Sequence, residues 1–415
     1  MARYDLAVIG GGFSGVAAAI SASRLGSKVI IVDKGNALGG AAVSCLVNPF
    51  MVYYTQIDGK RVDLSAGIFT EIRDELARRN AIYGNIFSEE ELKFLLNDMV
   101  EKENIDLLYH ANLFSVERDG DKIVSAKFAT ISGVTEISAD YFIDATGDAQ
   151  LAFLSGCPTT LGRESDHLCQ PMTLCFRVGN VDVSAFNESK PRFQEAYKKA
   201  LENGELINPR ENVLVFATTT PNVLHFNTTR VIKLNPTDAF DVTKAEVLAR
   251  KQVREIYEFL KTHADGLDNS FLLSTANQIG VRESRMIVGD YVLTEQDCRD
   301  FRVFDDTVAV CNYDIDIHNP AGSGTSHYYF PEGKFYGIPY RSLIPKNADN
   351  LIVVGRCISS DHGAQASYRI MPTVCCIGQA GGTAIALAVK NKCSTREVNV
   401  KTLQKTLVEN GAFIG

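Results

Sequence analysis

A glycine-rich turn between two apolar strands constrains the fold of this chain most strongly. Residues 4–9 predict a strand, and Gly10-Gly11-Gly12-Phe13-Ser14-Gly15 follows with glycine at every glycine position of G-x-G-x-x-G. An alanine-rich helix is predicted over residues 16–25, and a β-branched strand over residues 28–32 ends at Asp33. This strand–helix–strand order predicts a parallel sheet that binds a dinucleotide at the turn, although glycine turns also occur without a ligand.

Each part of such a turn has its own physical task. Gly10 allows the tight turn, Gly12 lets the backbone approach a pyrophosphate, and Gly15 allows close packing of helix and strand. The free N–H groups at the helix start attract phosphate. Asp33 comes eighteen residues after Gly15, where we expect its carboxylate to accept hydrogen bonds from a ribose.

Four later segments support a bound cofactor, and the first of them favours FAD over a plain NAD fold. A second glycine pair, Gly39-Gly40, follows Asp33, and an apolar strand ends in Ala145-Thr146-Gly147. Residues 350–356 predict a strand that enters Gly355-Arg356, and residues 372–390 predict a helix rich in glycine and alanine. The alternatives are an ordinary strand-to-turn junction and close helix packing. The predicted cofactor-binding residues are Gly10, Gly12, Phe13, Ser14, Gly15, Asp33, Lys34, Gly39, Gly40, Ala41, Ala145, Thr146, Gly147, Gly355, Arg356 and Gly378.

Composition narrows the class of protein. The chain has 415 residues and a formal net charge of −8, which argues against nucleic acid as a partner. No run of eighteen uninterrupted apolar residues and no secretory signal is present, so we expect a cytoplasmic protein without membrane insertion. The ten cysteines lack CxxC spacing, and we expect reduced, mostly buried thiols; Cys375 and Cys376 should pack as small hydrophobic residues.

The order of elements predicts an α/β fold with a discontinuous first domain. Residues 1–155 and 346–392 should form a Rossmann-like FAD-binding domain, with a β-meander over about 106–142. Residues 156–345 should form an inserted α+β substrate domain, and residues 393–415 a C-terminal tail.

With these segments in place, the chain resembles the FAD-dependent oxidoreductases of the GG-doublet kind, and most of all the FAD_oxidored family. The matching stretches are 8–15, 38–41, 143–148, 278–285, 316–320, 339–345, 350–356 and 364–381. Asp33 departs from the glutamate usual in such proteins, but the shorter acid should still reach a ribose. The resemblance implies non-covalent FAD in a two-domain fold. It implies neither a substrate nor a catalytic residue.

Candidate acid–base groups lie in two segments. In residues 313–318 polar and apolar residues alternate, so a strand would place Asp314, Asp316 and His318 on one face. This makes His318 the first candidate for a general acid or base, supported by Asp316. The alternatives are a hydrogen-bonded strand edge and an Asp/Asp/His metal site, which no further ligand spacing supports. His362 is the second candidate, and His327 is a candidate for a lid.

Arginines near the motifs suggest an anionic substrate. Arg282 and Arg285 are three residues apart and would lie on neighbouring helix faces if the segment were helical. Arg356 and Arg369 lie beside predicted cofactor segments, and arginine binds carboxylates through two parallel hydrogen bonds. Salt bridges between domains are the alternative role.

The sequence therefore predicts an FAD enzyme that transfers a hydride between flavin and a small, anionic organic substrate. It specifies neither the electron donor or acceptor nor the oligomeric state, and no second nucleotide motif supports direct use of NAD(P)H. The alternative is a non-redox flavoprotein or a biosynthetic transferase on the same dinucleotide-binding fold.

Overall fold

The computed structural model describes residues 3–415. The strands are β1 (Tyr4–Ile9), β2 (Val29–Val32), β3 (Tyr54–Ile57), β4 (Lys60–Asp63), β5 (Ile82–Tyr83), β6 (Ile86–Phe87), β7 (Asp106–Leu108), β8 (Asn112–Asp119), β9 (Lys122–Thr130), β10 (Gly133–Asp144), β11 (Thr159–Leu161), β12 (Phe176–Gly179), β13 (Val215–Ala217), β14 (Leu224–Phe226), β15 (Phe271–Thr275), β16 (Arg285–Ile287), β17 (Thr307–Cys311), β18 (Ile315–His318), β19 (Thr325–Tyr328), β20 (Tyr336–Pro339) and β21 (Leu351–Val353).

The α-helices are α1 (Phe13–Arg24), α2 (Ala41–Ser44), α3 (Ile68–Arg78), α4 (Glu89–Lys102), α5 (Gln150–Leu154), α6 (Val183–Glu202), α7 (Ala239–His263), α8 (Glu295–Arg299), α9 (His362–Tyr368), α10 (Met371–Asn391) and α11 (Val400–Glu409). Two 3₁₀ turns cover Tyr340–Leu343 and Thr395–Glu397.

A mixed sheet organises the molecule. Its order is β7-β2-β1-β10-β9-β8, and β21 also pairs with β10. The pairs among β7, β2, β1, β10 and β21 are parallel, whereas β8, β9 and the first half of β10 form an antiparallel meander. Strand β21 pairs with Phe142–Asp144 of β10. A segment more than two hundred residues later in the chain thus belongs to the first sheet. The architecture is an α/β, Rossmann-like fold with antiparallel sheets in the inserted region.

Helices α1 and α10 pack backbone to backbone on this sheet. A Cβ atom at Gly378 would lie 2.0 Å from the carbonyl oxygen of Ser14, and one at Gly382 would lie 2.0 Å from that of Ala18. The small residues of α10 therefore serve close helix packing. In residues 3–415, α10 is the one helix long and apolar enough to cross a membrane by length and composition, yet 89% of its apolar window is buried inside the molecule. It is the core helix of this fold.

The inserted region contains a four-stranded antiparallel sheet in the order β13-β14-β12-β15. Its core includes the stacked rings of Phe176 and Phe226 together with Phe186 and Phe193 of α6. Helix α6 begins at Val183, because the carboxylate of Asp182 accepts hydrogen bonds from two N–H groups of its first turn.

Gly382→Ala should test the α1–α10 contact. The new methyl group would collide with the backbone of α1, so we expect the free energy of unfolding to fall by about 1–3 kcal/mol in urea denaturation. Gly322→Ala is the matched control, because its Cβ would meet its nearest heavy atom at 3.8 Å. Equal stability of the two variants would contradict the packing role of α10.

Candidate functional site

A cleft of about 410 Å³ opens at the carboxyl ends of β1, β2, β10 and β21. This is the edge where doubly wound sheets bind ligands. Three separated parts of the chain form it, because β21 and the start of α10 lie beside the first two strands. Of the residues predicted to bind the cofactor, those that line the cleft are Gly10, Gly12, Phe13, Ser14, Asp33, Lys34, Gly39, Gly40, Ala41, Ala145, Thr146, Gly147, Gly355 and Arg356.

The three glycines of the turn have different surroundings. A Cβ at Gly10 would lie 2.3 Å from the carbonyl oxygen of Ala145, and one at Gly15 would lie 1.9 Å from that of Gly10. The packing of the chain alone demands glycine at both positions. Gly12 differs, because the heavy atom nearest to its added Cβ is Gly40 Cα at 3.8 Å. Glycine at position 12 thus keeps backbone open to the cleft, which fits a closely approaching diphosphate.

Asp33 lies at the tip of β2 and shapes the turn. One carboxylate oxygen accepts a hydrogen bond from the Gly11 N–H at 2.5 Å, and the other accepts from the Gly35 N–H at 2.6 Å. Each oxygen keeps a second lone pair, and the residue lines the cleft. The shorter acid is therefore held in position by its own loop, and its remaining lone pairs fit a ribose.

Asp148 and Arg356 form an ion pair on the wall of the cleft. Arg356 Nη2 lies 2.7 Å from Asp148 Oδ1, which also accepts a hydrogen bond from Ser284 Oγ at 2.6 Å. Burial alone would raise the pKa of Asp148, but the charges of Arg356 and Lys34 outweigh it and hold this pKa below its ordinary value. An ionised carboxylate is therefore fixed on the wall of the cleft.

Helix α10 begins at the cleft, since Met371 and Val374 line it. Gly378 was expected at the cofactor, and this expectation is corrected by the structure. Its Cβ would point into the backbone of Ser14, so Gly378 lies in the α1–α10 contact and does not line the cleft. The positive end of the helix, rather than its small residues, faces the cleft.

The segment that carries Arg282 and Arg285 is not helical, so the two arginines do not lie on neighbouring helix faces. Arg285 starts β16 and Arg282 lies in the irregular segment before it, so the two side chains diverge. Arg285 lies over the Phe153 ring at 4.2 Å. Arg282 donates hydrogen bonds to the Pro171 carbonyl at 2.8 Å and to the Thr173 hydroxyl, neither of which carries charge.

Four arginines gather beside Asp316, and we call Arg210, Arg230, Arg282 and Arg369 the arginine cluster. Arg230 lies 3.3 Å from Glu211 Oε2, and Arg369 Nη2 lies 3.8 Å from Asp316 Oδ2. Within residues 3–415, neither Arg210 nor Arg282 has a carboxylate oxygen within 4.0 Å. Four guanidinium groups thus face two carboxylates. Burial, with the charges of Arg369 and Arg210, lowers the pKa of Arg282 to about 9, as expected for crowded cations.

His318 is buried among these charges, and both of its ring nitrogens are occupied. Nδ1 accepts a hydrogen bond from Arg230 Nη2 at 3.1 Å, because a guanidinium can only donate. Nε2 therefore carries the proton, and it lies 3.3 Å from Asp316 Oδ2. Burial and the charge of Arg282 lower the pKa of His318 to about 3, so the ring is neutral. His318 does not line the cleft, and this geometry favours orientation of Asp316 over the expected role as a general base.

Asp314, Asp316 and His318 lie together, as expected from their alternation. Asp316 and His318 of β18 are in contact, and His327 Nδ1 of β19 lies 2.6 Å from Asp314 Oδ2 and 3.7 Å from Asp316 Oδ1, although Asp314 itself precedes the strand. His327 is 35% exposed on this hairpin, and its role as a lid stays a prediction. No group of three or more potential ligands in residues 3–415 could hold a metal ion.

His362 and Arg369 have different positions relative to the cleft. His362 begins α9, and its Nδ1 lies 2.7 Å from the fully buried carboxylate of Glu283. It does not line the cleft. Arg369 is the C-terminal cap residue of α9 and does line the cleft. Of the predicted catalytic residues, Arg369 alone has both a cleft position and contact with Asp316.

Several residues of the site were not predicted. The cleft is also lined by Cys45, Asp148, Gln278, Ile279 and Val281. Asp148 directly follows the Ala145-Thr146-Gly147 turn and could have been found from that motif. Arg210 and Arg230 carry no sequence signal, because nothing in their local pattern distinguishes a buried arginine from an exposed one.

Known proteins resemble this chain in sequence and in structure. The model of a family described as FAD dependent oxidoreductase matches residues 5–407. Glutathione reductase of Debaryomyces hansenii is 30% identical over 162 residues, which are 37% of this chain and 29% of that protein. The match thus spans less than a third of the curated relative.

Solved structures with similar folds cover nearly the whole chain. A geranylgeranyl bacteriochlorophyll reductase-like protein from Thermoplasma acidophilum has a TM-score of 0.45 at 12% identity, over 99% of this chain and 84% of the other. p-Nitrophenol 4-monooxygenase from Pseudomonas putida has a TM-score of 0.49 at 11% identity, over 99% and 89% of the two chains.

Gly12→Ala should separate cofactor binding from folding. The added methyl group has room within the protein but intrudes on the cleft, so we expect FAD affinity to fall at least about tenfold with an unchanged melting temperature of the apoprotein. Fluorescence titration of apoprotein with FAD measures the affinity. Gly10→Ala is the comparison variant and should lower the melting temperature itself, because its Cβ collides with Ala145. Unchanged FAD affinity in Gly12→Ala would contradict the close approach of the diphosphate to Gly12.

Buried histidines should make stability depend on pH. Burial lowers the pKa of both His225 and His318 to about 3, whereas unfolded histidine binds a proton near 6.5. The unfolded state gains protons first as pH falls, so unfolding free energy should drop by about 2 kcal/mol per histidine between pH 7 and pH 5. Urea denaturation measures this drop in unfolding free energy, and in His225→Leu the drop should be smaller by about 2 kcal/mol. An unchanged pH dependence in His225→Leu would contradict a neutral, buried His225.

Proposed function

The chain belongs to the family of FAD dependent oxidoreductases, and from this premise we propose that it transfers a hydride between FAD and a small anionic organic substrate. The isoalloxazine ring supplies the redox chemistry when FAD is bound, and the protein supplies binding, orientation and charge. Gly12 and the start of α1 would hold the diphosphate, Asp33 the ribose, and the Asp148–Arg356 pair the sugar chain next to the ring.

The observation that carries the proposal is the surplus of positive charge in the arginine cluster. Removing a charge from water is costly unless an opposite charge is close, and the cluster holds four cations against Glu211 and Asp316. An organic anion would restore the balance. Arginine presents a planar pair of N–H donors that matches a carboxylate.

Arg369 connects this charge to the cofactor cleft. It lines the cleft and donates hydrogen bonds to Gln170 Oε1 at 3.4 Å and to the Asp316 carbonyl at 3.3 Å. Ile279 and Val281 also line the cleft, and Arg282 follows them directly. A substrate bound by Arg369 and Arg282 would therefore lie next to the cofactor, with Asp316 as the nearest carboxylate.

Neither candidate histidine faces the cleft, so we do not assign the proton to one of them. His318 instead fixes the orientation of Asp316, and His362 pairs with Glu283. We also propose a cytoplasmic location. The ten cysteines among the described residues are free thiols, nine of them buried, which suits a compartment that keeps thiols reduced.

An anaerobic screen tests the proposed function. Purified FAD-loaded protein is mixed with a panel of small carboxylates and with their amides, and the loss of oxidised flavin absorbance is followed. Reduction of the flavin by a carboxylate, but not by its uncharged amide, is the expected result. Equal reduction by the two members of a pair would rule out recognition of an anion.

Arg369→Gln should weaken anion binding and leave FAD in place. Removal of the guanidinium that faces the cleft should raise the dissociation constant of a carboxylate inhibitor by about tenfold or more, because hydrogen bonds to charged groups contribute about 1.5–3 kcal/mol. Perturbation of the flavin absorbance measures the constant. Arg192→Gln removes the same charge from an exposed position of α6 and should bind the inhibitor as the wild type does. Comparable weakening in both variants would point to a long-range charge effect instead.

A further inference from the structure

The two carboxylate oxygens of Asp316 have unequal surroundings. Oδ2 accepts a hydrogen bond from the Tyr313 hydroxyl at 3.0 Å and lies 3.3 Å from His318 Nε2 and 3.8 Å from Arg369 Nη2. Oδ1 is buried and accepts no hydrogen bond from residues 3–415; His327 Nδ1 is 3.7 Å away. A buried carboxylate oxygen without a donor is costly, so this atom is suited to a donor that a ligand brings.

Within residues 3–415, Arg369 has a hydrogen-bond donor without an acceptor. Its hydrogen bonds within the described residues come from Nη2, and its buried Nε has no partner. The unused donor and the unused acceptor belong to two neighbouring side chains, because Arg369 Nη2 lies 3.8 Å from Asp316 Oδ2, and Arg369 lines the cleft. A ligand that satisfies both must carry an anionic acceptor and a hydrogen-bond donor close to each other.

Resting on the proposed function, we infer that the substrate is a 2-hydroxy carboxylate. Arg369 binds its carboxylate group, and Asp316 Oδ1 accepts a hydrogen bond from its hydroxyl group. The cofactor cleft begins at Arg369, so the carbon that bears the hydroxyl group would lie between the arginine cluster and the cofactor.

The charges around Asp316 favour a hydroxyl over an ammonium group as this donor. Arg282 and Arg369 both act on His318, the immediate neighbour of Asp316, and would repel a second cation placed there. A neutral hydroxyl group avoids this repulsion. Burial would raise the pKa of Asp316, but the hydrogen bond from His318 and the charge of Arg369 hold it well below its ordinary value, so the carboxylate stays an acceptor.

Tyr313 and His318 are positioning residues in this arrangement. Both bind Oδ2, which leaves Oδ1 for the ligand. Because Arg230 fixes the proton of His318 on Nε2, the imidazole can only donate to Asp316. The hairpin of β18 and β19, which carries His327, separates Oδ1 from solvent, and an enclosed acceptor makes a stronger hydrogen bond than one in water.

Three probes of one shape test the inference on the FAD-loaded protein. 2-Hydroxy-2-methylpropanoate, 2-methylpropanoate and 2-amino-2-methylpropanoate differ in a single substituent, and the hydroxy acid has no hydrogen on its hydroxyl-bearing carbon, so it cannot transfer a hydride. Their dissociation constants come from the perturbation of the oxidised flavin spectrum. The hydroxy acid should bind about ten- to a hundredfold more tightly than 2-methylpropanoate, and more tightly than the amino acid.

Single substitutions test which side chains produce the preference for the hydroxy acid. Asp316→Asn should abolish the advantage of the hydroxy acid while 2-methylpropanoate still binds. His318→Gln should reduce the advantage in the same way, a change that a merely structural role would not produce. Asp314→Asn is the matched control, since that carboxylate contacts His327, and it should keep the wild-type preference.

The outcomes separate this inference from the proposed function. Equal binding of the hydroxy acid and 2-methylpropanoate by the wild type overturns the inference and leaves anion recognition intact. Tightest binding of the amino acid also overturns it. Failure of all three probes to bind would count against the anionic substrate itself. The wild-type comparison decides the matter even if Asp316→Asn does not fold.

Discussion

The contact between α1 and α10 is the interaction on which the site depends. Two helices far apart in the chain approach until their backbones touch, which is possible because Gly378 and Gly382 have no side chain. The same contact brings the start of α10 to the glycine turn before α1, and β21 adds Gly355 at the edge of the sheet. A cleft built from three separate segments can hold an extended dinucleotide along its whole length, which no single loop could do.

The inserted region contributes positive charge, whereas the first sheet and its turns form the cofactor cleft. The cofactor cleft uses backbone N–H groups, glycines and one ion pair, so it recognises phosphates and sugars. Three members of the arginine cluster come from the inserted region, since Arg210 precedes β13, Arg230 follows β14 and Arg282 precedes β16. The positive charge of the cluster is concentrated in a protein with a net charge of −8. The two regions meet at Arg369, which explains why this one residue has contacts in both.

The sequence predicted the parts of the fold that are encoded locally. The glycine turn, the strand before it and the helix after it follow from patterns within a few residues. The site was predicted less well, because its geometry depends on distant partners. The environment of His318 is set by Arg230, eighty-eight residues away, and no periodicity reveals that contact. The three-residue spacing of Arg282 and Arg285 left their relative positions open, because it is compatible both with a helix and with the irregular segment that leads into β16.

The neutral state of His318 explains how the site can bind an anion and still contain a carboxylate. A protonated imidazole would form an ion pair with Asp316 and use up its charge inside the protein. Burial and the neighbouring arginines prevent protonation, so His318 contributes a directed N–H group and no net charge. Asp316 then remains an anion with one oxygen held and one oxygen unpaired. The arginines keep the surplus of positive charge that attracts the carboxylate of a ligand. Asp316 keeps a free acceptor for the hydroxyl group of that ligand.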